Sequence, residues 1–351
     1  YLSPKNKNFK YLDENKNIIV GKSNPTNEIF DAIYVATCKN ANITIPSTIT
    51  EIRPYAFSNA NLSRLNFEKD SKLKRIGREA FTSNFLKNIE IPSSVELLED
   101  GWIGERKNQL TVKIHPENKF YKSLDDFLIV GKSNPDNDEY DVLVVANSDI
   151  SEVFIPSSIK IIGSFAFNNC SNFLEVKFQN DSKLEIIGKS DLSQNYYDTI
   201  VFGCRNIQKV FIPNYIKSIS SSAFLRCSFL HYIQISENSE LNSIYNCSFA
   251  QTRLTSIFIP KHVKVIGASA FFGCIYLETV IFDENSELEF IGQYSFASTK
   301  IDEIEIPRSV KIISEYSFYQ CKCLEDFSFM KNSQIEIIGE YAFRESAIRY
   351  I

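Results

Sequence analysis

Apolar and polar positions along the chain repeat with a fixed spacing. Ile-Pro recurs at Ile45-Pro46, Ile91-Pro92, Ile155-Pro156, Ile212-Pro213, Ile259-Pro260 and Ile306-Pro307. The last three gaps are 57, 47 and 47 residues. Phe67, Phe178, Ile235, Phe282 and Phe329 fall at matching apolar positions between them, without the proline. The period is therefore 22 to 24 residues, in two alternating flavours. One copy reads Ile259, Val263, Ile266, Ala270, Phe271, Cys274, Leu277, Val280 and Phe282 in apolar slots. The next proline copy fills the same slots with Ile306, Val310, Ile313, Ser317, Phe318, Cys321, Leu324, Phe327 and Phe329. Extended backwards, this register gives about thirteen coils over residues 1–351, a single solenoid. Periods of this length signal stacked repeats, none of which buries its apolar side alone.

Each copy predicts one strand and one return. Leu277-Glu-Thr-Val280-Ile-Phe282 has the form L-x-x-L-x-L, a strand in which alternation turns Val280 and Phe282 inward and Thr279 and Ile281 outward. Proline directly after the strand removes a backbone donor and stops further pairing. The Ala-Phe pair anchors the return, where a short helical or 3₁₀ turn is expected. Stacked coils share a continuous parallel sheet. Three intervals are too long. Val20-Gly-Lys-Ser-Asn-Pro25 and Val130-Gly-Lys-Ser-Asn-Pro135 mark related inserts at about 9–37 and 120–146, each read as a β-hairpin around its Asn-Pro turn. The third insert, 193–200, is a polar, Tyr-rich loop. Gly101-Trp102-Ile103 stands where Ala-Phe is expected.

The pattern resembles the BspA-type (Treponema pallidum-type) leucine-rich repeat. The residues that carry the resemblance are Ile155-Pro-Ser-Ser-Ile-Lys-Ile-Ile-Gly-Ser-Phe-Ala-Phe-Asn-Asn-Cys170 and Ile259-Pro-Lys-His-Val-Lys-Val-Ile-Gly-Ala-Ser-Ala-Phe-Phe-Gly-Cys274. It covers nearly the whole chain outside the inserts. Such repeats are similar to those of surface proteins in oral and gut bacteria and in parasitic protists such as trichomonads and Entamoeba. The resemblance implies a leucine-rich repeat solenoid at the cell surface or secreted, acting in cell adhesion, host–pathogen interaction or aggregation by binding a host extracellular-matrix or cell-surface protein.

Composition narrows the chemistry. Hydrophobic residues are 44% of the chain, enough for a packed core, and 38 basic against 43 acidic residues leave a charge of −5. That balance argues against nucleic-acid binding, which needs a clustered basic excess. No apolar run is long enough to insert in a membrane. The chain begins at Tyr1 rather than Met, as a processed or truncated piece would, and Ile351 falls on a strand position from which the array can continue. There are three histidines, His115, His231 and His262, in unrelated slots, and no nucleophile elbow, P-loop or dinucleotide fingerprint. No enzyme activity, cofactor or metal is expected. Of the eight cysteines, Cys170, Cys204, Cys227, Cys274 and Cys321 share one inward slot and read as a buried thiol ladder. Sequons occur at Asn42, Asn61, Asn169, Asn180 and Asn246.

The informative surface is the outward, concave face of the strands. Its central ladder runs Asn66, Glu90, Lys113, Phe154, Lys177, Phe211, Gln234, Phe258, Ile281, Glu305, Ser328. Phe154, Phe211, Phe258 and Ile281, with Tyr232 beside them, form an apolar stripe suited to a protein ligand. Past it lie Asp302, Glu303, Glu305, Glu325 and Asp326, an acidic patch able to steer a basic partner. The alternative is a structural, self-associating homo-oligomeric array in which the stripe packs between copies. An enzyme hosted by Tyr196 and Tyr197 in the third insert is the remotest reading.

Overall fold

The computed structural model describes residues 2–349 except 4–5, 27, 40, 83–84, 105–109, 126, 148–151, 169, 171–173, 180, 189–200 and 204–205. The Tyr-rich insert therefore lies outside the described residues. The chain is built of about 12 β-solenoid turns, close to the expected thirteen. It divides into two compact units, Tyr1–Asp149 with Phe165–Cys170, and Ile150–Ser164 with Ser171–Ile351.

In the second unit each coil contributes two strands. The longer ones occupy the L-x-x-L-x-L segments: Glu152–Ile155, Glu175–Phe178, Lys209–Ile212, Tyr232–Ile235, Ser256–Ile259, Thr279–Phe282, Glu303–Ile306 and Asp326–Phe329. The shorter ones are two residues each and pair in parallel from Ile161–Ile162 through to Ile337–Ile338 without a break. The continuous ladder is thus on the short-strand side. The long-strand ladder, expected to be continuous, is divided into one sheet of four strands and two of two.

The proline explains where it divides. In a coil without proline, the residue after the strand donates its N–H to the Ile of the preceding Ile-Pro: Asp283 to Ile259 at 3.1 Å and Met330 to Ile306 at 2.9 Å. In an Ile-Pro coil that residue has no N–H, so the carbonyl of the coil before it receives no such bond. Pairing therefore closes within each proline/non-proline couple and lapses before Pro260 and before Pro307. Before Pro213 it survives over two residues only, Glu175↔Lys209 and Val176↔Val210.

The return segments hold no helix among the described residues, contrary to the helical or 3₁₀ expectation. Alternate amides are spent between coils instead. Ser222, Phe224 and Arg226 donate to Asn246, Ser248 and Ala250 of the next coil at 2.8–2.9 Å, while Ala223 and Leu225 close turns on Ser220 and Ser222. This alternation requires left-handed residues on either side of the Phe, and Ser222 and Arg226 have φ of 59° and 60°. Such a backbone cannot continue as a right-handed helix.

The core of the second unit is a column of rings, one per coil. Phe202, Phe224, Phe249, Phe271, Phe296, Phe318 and Phe343 stack with centroids 4.6 to 5.4 Å apart and planes within 11° of parallel. The spacing is that of neighbouring strands, so each ring lies flat on the next.

In the first unit the short strands Glu51–Ile52, Arg75–Ile76 and Leu97–Leu98 follow an antiparallel meander of Phe9–Tyr11, Ile18–Gly21 and Ala32–Ala36. A second meander comprises Tyr121–Leu124, Leu128–Gly131 and Val142–Ala146. Each insert thus has three strands, one more than a hairpin. The turns match: Asp31 accepts the amide and hydroxyl of Ser23 at 2.7 Å each, and Asp141 those of Ser133 at 2.8 and 2.7 Å. The long strands pair as Ala41–Ile45 with Leu62–Phe67 and Asn88–Ile91 with Thr111–Ile114. Here Phe57 stacks on Phe81, but Trp102 meets Phe81 edge-on at 86°. Gly101 has φ +66°, and a Cβ on it would lie 2.5 Å from the Phe165 ring. The glycine at this position leaves room for the Phe165 ring.

Candidate protein-binding face

All ten residues of the expected binding surface lie in the second unit, on or beside the long strands. Phe154, Tyr232 and Ile281 are 59%, 43% and 52% exposed, while Phe211 and Phe258 are half-buried. Their strand neighbours Val153, Val210, Ile257 and Val280 are buried, so alternation sets which side chains face outward.

The apolar stripe is interleaved rather than contiguous. Register places Phe154 opposite Lys177, Phe211 opposite Gln234 and Phe258 opposite Ile281. The phenylalanines sit on Ile-Pro coils, with polar residues between Phe154, Phe211 and Phe258. Contiguity is kept by Phe258 with Ile281, and by Tyr232, whose ring meets Phe211 at 6.0 Å. The Tyr232 hydroxyl donates to Gln234 Oε1 at 3.2 Å.

Lys177 joins charge to this surface. Its ammonium lies 5.4 Å from the Phe154 ring centroid, pairs with Glu152, and is 3.4 Å from Glu175. Glu152 and Glu175 are directly opposite in register, a repulsive placement that the ammonium between them offsets. The hydrogen bond from Lys177 to Glu152 raises the lysine pKa above its ordinary value, with smaller contributions from both carboxylates and burial opposing.

At the other end Glu303 faces Asp326 across the strands. Asp302, Glu303, Glu305, Glu325 and Asp326 are all exposed, and none has an ion-pair partner among the described residues. Like charges directly opposite are destabilising in a sheet. Among the described residues no ion pair offsets this repulsion.

The cysteine slot is structural. Cys227, Cys274 and Cys321 donate their thiols to the carbonyls of Phe202, Phe249 and Phe296, one coil back, at 2.8, 3.1 and 3.1 Å. Thr252 and Thr299 occupy the slot in the intervening coils and lie 3.3 Å from Cys274 and Cys321. Burial raises the Cys274 pKa to about 11. Cys204 lies outside the described residues. Among the described residues no group of His, Cys, Asp and Glu is placed to hold a metal ion. Among the described residues no helix is long and apolar enough to cross a membrane.

A family model described as "BspA type Leucine rich repeat region" matches residues 5–123, 144–249 and 242–351, in six copies. The chain belongs to the BspA-type leucine-rich repeat family. Proteins of this family are often surface-associated and protein-binding, and the family and fold are typically non-enzymatic. Among solved structures, the BspA-type chain is similar to a leucine-rich repeat protein from Eubacterium ventriosum, at 19% identity over 88% of this chain and 77% of that one, with a TM-score of 0.62. It is also similar to the pneumococcal vaccine antigen PcpA, at 19% identity over 85% of this chain and 67% of that one, with a TM-score of 0.56. No curated protein sequence matched. Identities this low establish the shared fold alone.

Two placements escape a reading of single strands. The Lys177 clamp depends on register between coils, and the interleaving of the stripe depends on which flavour carries the aromatic. Both could be found by writing successive coils beneath one another and reading the columns.

Proposed function

We propose that this chain is a non-catalytic adhesion module of a surface or secreted protein, and that it binds a host extracellular-matrix or cell-surface protein through the outward face of the long strands in the second unit. The observation that carries the reading is the presence on one face of outward aromatic and aliphatic side chains (Phe154, Phe211, Tyr232, Phe258, Ile281) and of a carboxylate cluster that forms no ion pair among the described residues. Exposed aromatics supply desolvation and shape at an interface core. The carboxylates Asp302, Glu303, Glu305, Glu325 and Asp326 accelerate encounter with a basic partner. Family membership supports the class of partner, and the likeness to PcpA is one of fold.

The test is binding of the purified chain to matrix-coated and cell-coated surfaces, beside its mass by light scattering. Phe211→Asp and Phe258→Asp are expected to weaken binding by at least about tenfold, with unchanged thermal midpoints. Glu303→Lys with Asp326→Lys is expected to slow association and to flatten its salt dependence. Normal binding by both aspartate variants would overturn the assignment. A dimer that dissociates in those variants would replace it with self-association through the same face.

A further inference from the structure

The two meanders of the first unit are built alike and differ in what lies against their outer edge. Leu2-Ser-Pro-Lys-Asn6 stands in the first where Ile114-His-Pro-Glu-Asn118 stands in the second. In both, the asparagine amide donates three residues back, Asn6 to Ser3 and Asn118 to His115, at 2.9 Å each. Asn6 Oδ1 accepts the amides of Asn8 and Phe9 at 2.8 and 3.1 Å, and Asn118 Oδ1 those of Phe120 and Tyr121 at 2.9 and 2.8 Å. Phe9 then pairs with Gly21, and Tyr121 with Gly131. Each ring lies over its glycine, where a Cβ would come within 2.8 Å of Phe9 or 2.9 Å of Tyr121.

In the second meander these two side chains are buried against the Ile-Pro coil before it. Asn118 Nδ2 donates to the carbonyls of Pro92 and Val95 at 2.8 and 3.0 Å. The Tyr121 hydroxyl accepts the Leu98 amide at 2.8 Å. Leu97 and Glu99 donate back to Lys74 and Ile76, so the Leu98 amide points onward, to where the short strand of a next coil would lie. The meander thus closes the open end of a strand ladder. In the first meander the equivalent residues Asn6 and Phe9 are only half-buried. Asn6 Nδ2 has no hydrogen-bond partner among the described residues.

We infer that the outer edge of the first meander is a docking surface for the end of an Ile-Pro coil, and that its occupant is a repeat coil ahead of Leu2 in the same polypeptide. The occupant presents two carbonyls held by a proline turn, and Asn6 Nδ2 has the two protons to meet them. Phe9 covers the onward short-strand amide with a ring but has no hydroxyl to accept it. This junction therefore has one hydrogen bond fewer than the one at Tyr121. A second copy docked head to tail does not fit. The last described short strand, Ile337–Ile338, belongs to a proline-free coil. Its loop from Phe329 to Ile335 is two residues longer than that from Ile91 to Val95, which displaces the carbonyls. A coil of the same polypeptide does fit, because Leu2 takes the strand-end slot of Ile114. The strand Thr111–Ile114 pairs with Asn88–Ile91, which leads into the very coil that the second meander covers.

The test compares the intact chain with the same chain carrying residues 1–113 once more ahead of Leu2. That addition sets an Ile-Pro coil against the first meander as residues 91–103 are set against the second. Asn6→Asp at the junction keeps the acceptor that closes the turn and removes the donor. It should lower the thermal midpoint of the lengthened chain by at least about 2 °C and leave that of the intact chain unchanged. Asn118→Asp in the intact chain is the benchmark and should lower its midpoint likewise. Phe9→Tyr at the junction adds the hydroxyl and should raise the midpoint of the lengthened chain alone. Equal effects of Asn6→Asp in the two chains overturn the inference. So does digestion of the added block by a protease at the rate of an unfolded chain. The natural polypeptide gives a second measurement that does not depend on the lengthened chain folding. Ile-Pro should stand 23 residues ahead of Leu2, as Ile91-Pro92 stands ahead of Ile114, and its absence there overturns the inference. The surface shares no residue with the adhesive face, so either result leaves the other proposal standing.

Discussion

At the scale of single residues, the inward slot three positions after the ring shows what the fold asks of a side chain. It takes a small side chain, and where that is cysteine the thiol donates a hydrogen bond to the carbonyl of the preceding coil. Cys227, Cys274 and Cys321 do this with a thiol, and Thr252 and Thr299 alternate with them. Cys274→Ala leaves the Phe249 carbonyl without this donor, and a loss of about 1–3 kcal/mol in urea unfolding is expected. Cys274→Thr restores a donor of a type the slot already holds and should cost less than the alanine change. Thiol reactivity follows from the same burial. With a pKa of about 11, Cys274 has almost no thiolate at pH 8, so iodoacetamide should leave it unmodified in the folded chain while exposed Cys323 reacts. Mass spectrometry of the two peptides checks this, and rapid labelling of Cys274 would contradict it. The inward direction of this slot was legible from its repetition, whereas the threonine alternation was not, because threonine is not apolar and drops out of a hydrophobic pattern.

At the scale of elements, the strands were legible because burial alternates along each one, and the repeat because one ring recurs in every coil. A short helical or 3₁₀ turn was expected in the return segments because so short a repeat leaves little room, but a sequence does not display left-handed backbone when serine, tyrosine and cysteine adopt it. The division of the long-strand ladder follows from proline, and it can be tested directly. Pro307→Ala supplies an N–H facing the carbonyl of the preceding coil, so the new amide should be protected in hydrogen exchange. Exchange at the rate of a free loop would show that the ladder lapses there for another reason. The meanders offer a second test, through pH. Asp31 is pushed up by burial, but hydrogen bonds from the Ser23 hydroxyl and amide and from the Thr50 hydroxyl outweigh this and leave its pKa below the ordinary 3.8. A lowered folded-state pKa contributes stability that is present above about pH 4 and disappears as pH falls through the folded value. Asp31→Asn should therefore lower the unfolding midpoint at pH 7, and the gap from the parent should narrow at pH 2–3. A gap of equal size at both pH values would mean that the carboxylate's charge is not what stabilises the turn.

At the scale of the whole molecule, stability in a stacked array is a sum over neighbouring coils, so the axial interactions decide how a local defect is felt. The second unit has two such columns. One is the buried ring stack, in which Phe271 lies between Phe249 and Phe296 at 5.4 and 5.2 Å. The other is an exposed column of alternating charge beside the short strands, Lys160, Glu185, Lys217, then Lys264, Glu289, Lys311, Glu336. In it Lys217 approaches Glu185 at 3.8 Å and Lys311 approaches Glu289 at 3.0 Å. The magnitudes separate the two. Removing a buried phenylalanine costs about 3–5 kcal/mol, whereas an exposed ion pair is worth about 0–1 kcal/mol. The ring stack therefore holds the coils together, and the charge column chiefly penalises misregister, since a slip by one coil sets like charges beside each other. Phe271→Ala is expected to destabilise the unit by about 3–5 kcal/mol in urea, with little dependence on salt. Lys311→Glu puts a third carboxylate between Glu289 and Glu336 and should cost only about 1 kcal/mol. That smaller loss should be largely recovered in about 0.5 M sodium chloride, where charges this exposed are screened. Equal costs for the two substitutions, or a Phe271→Ala defect that salt repairs, would mean that surface charge and not the column of rings carries the load along the stack.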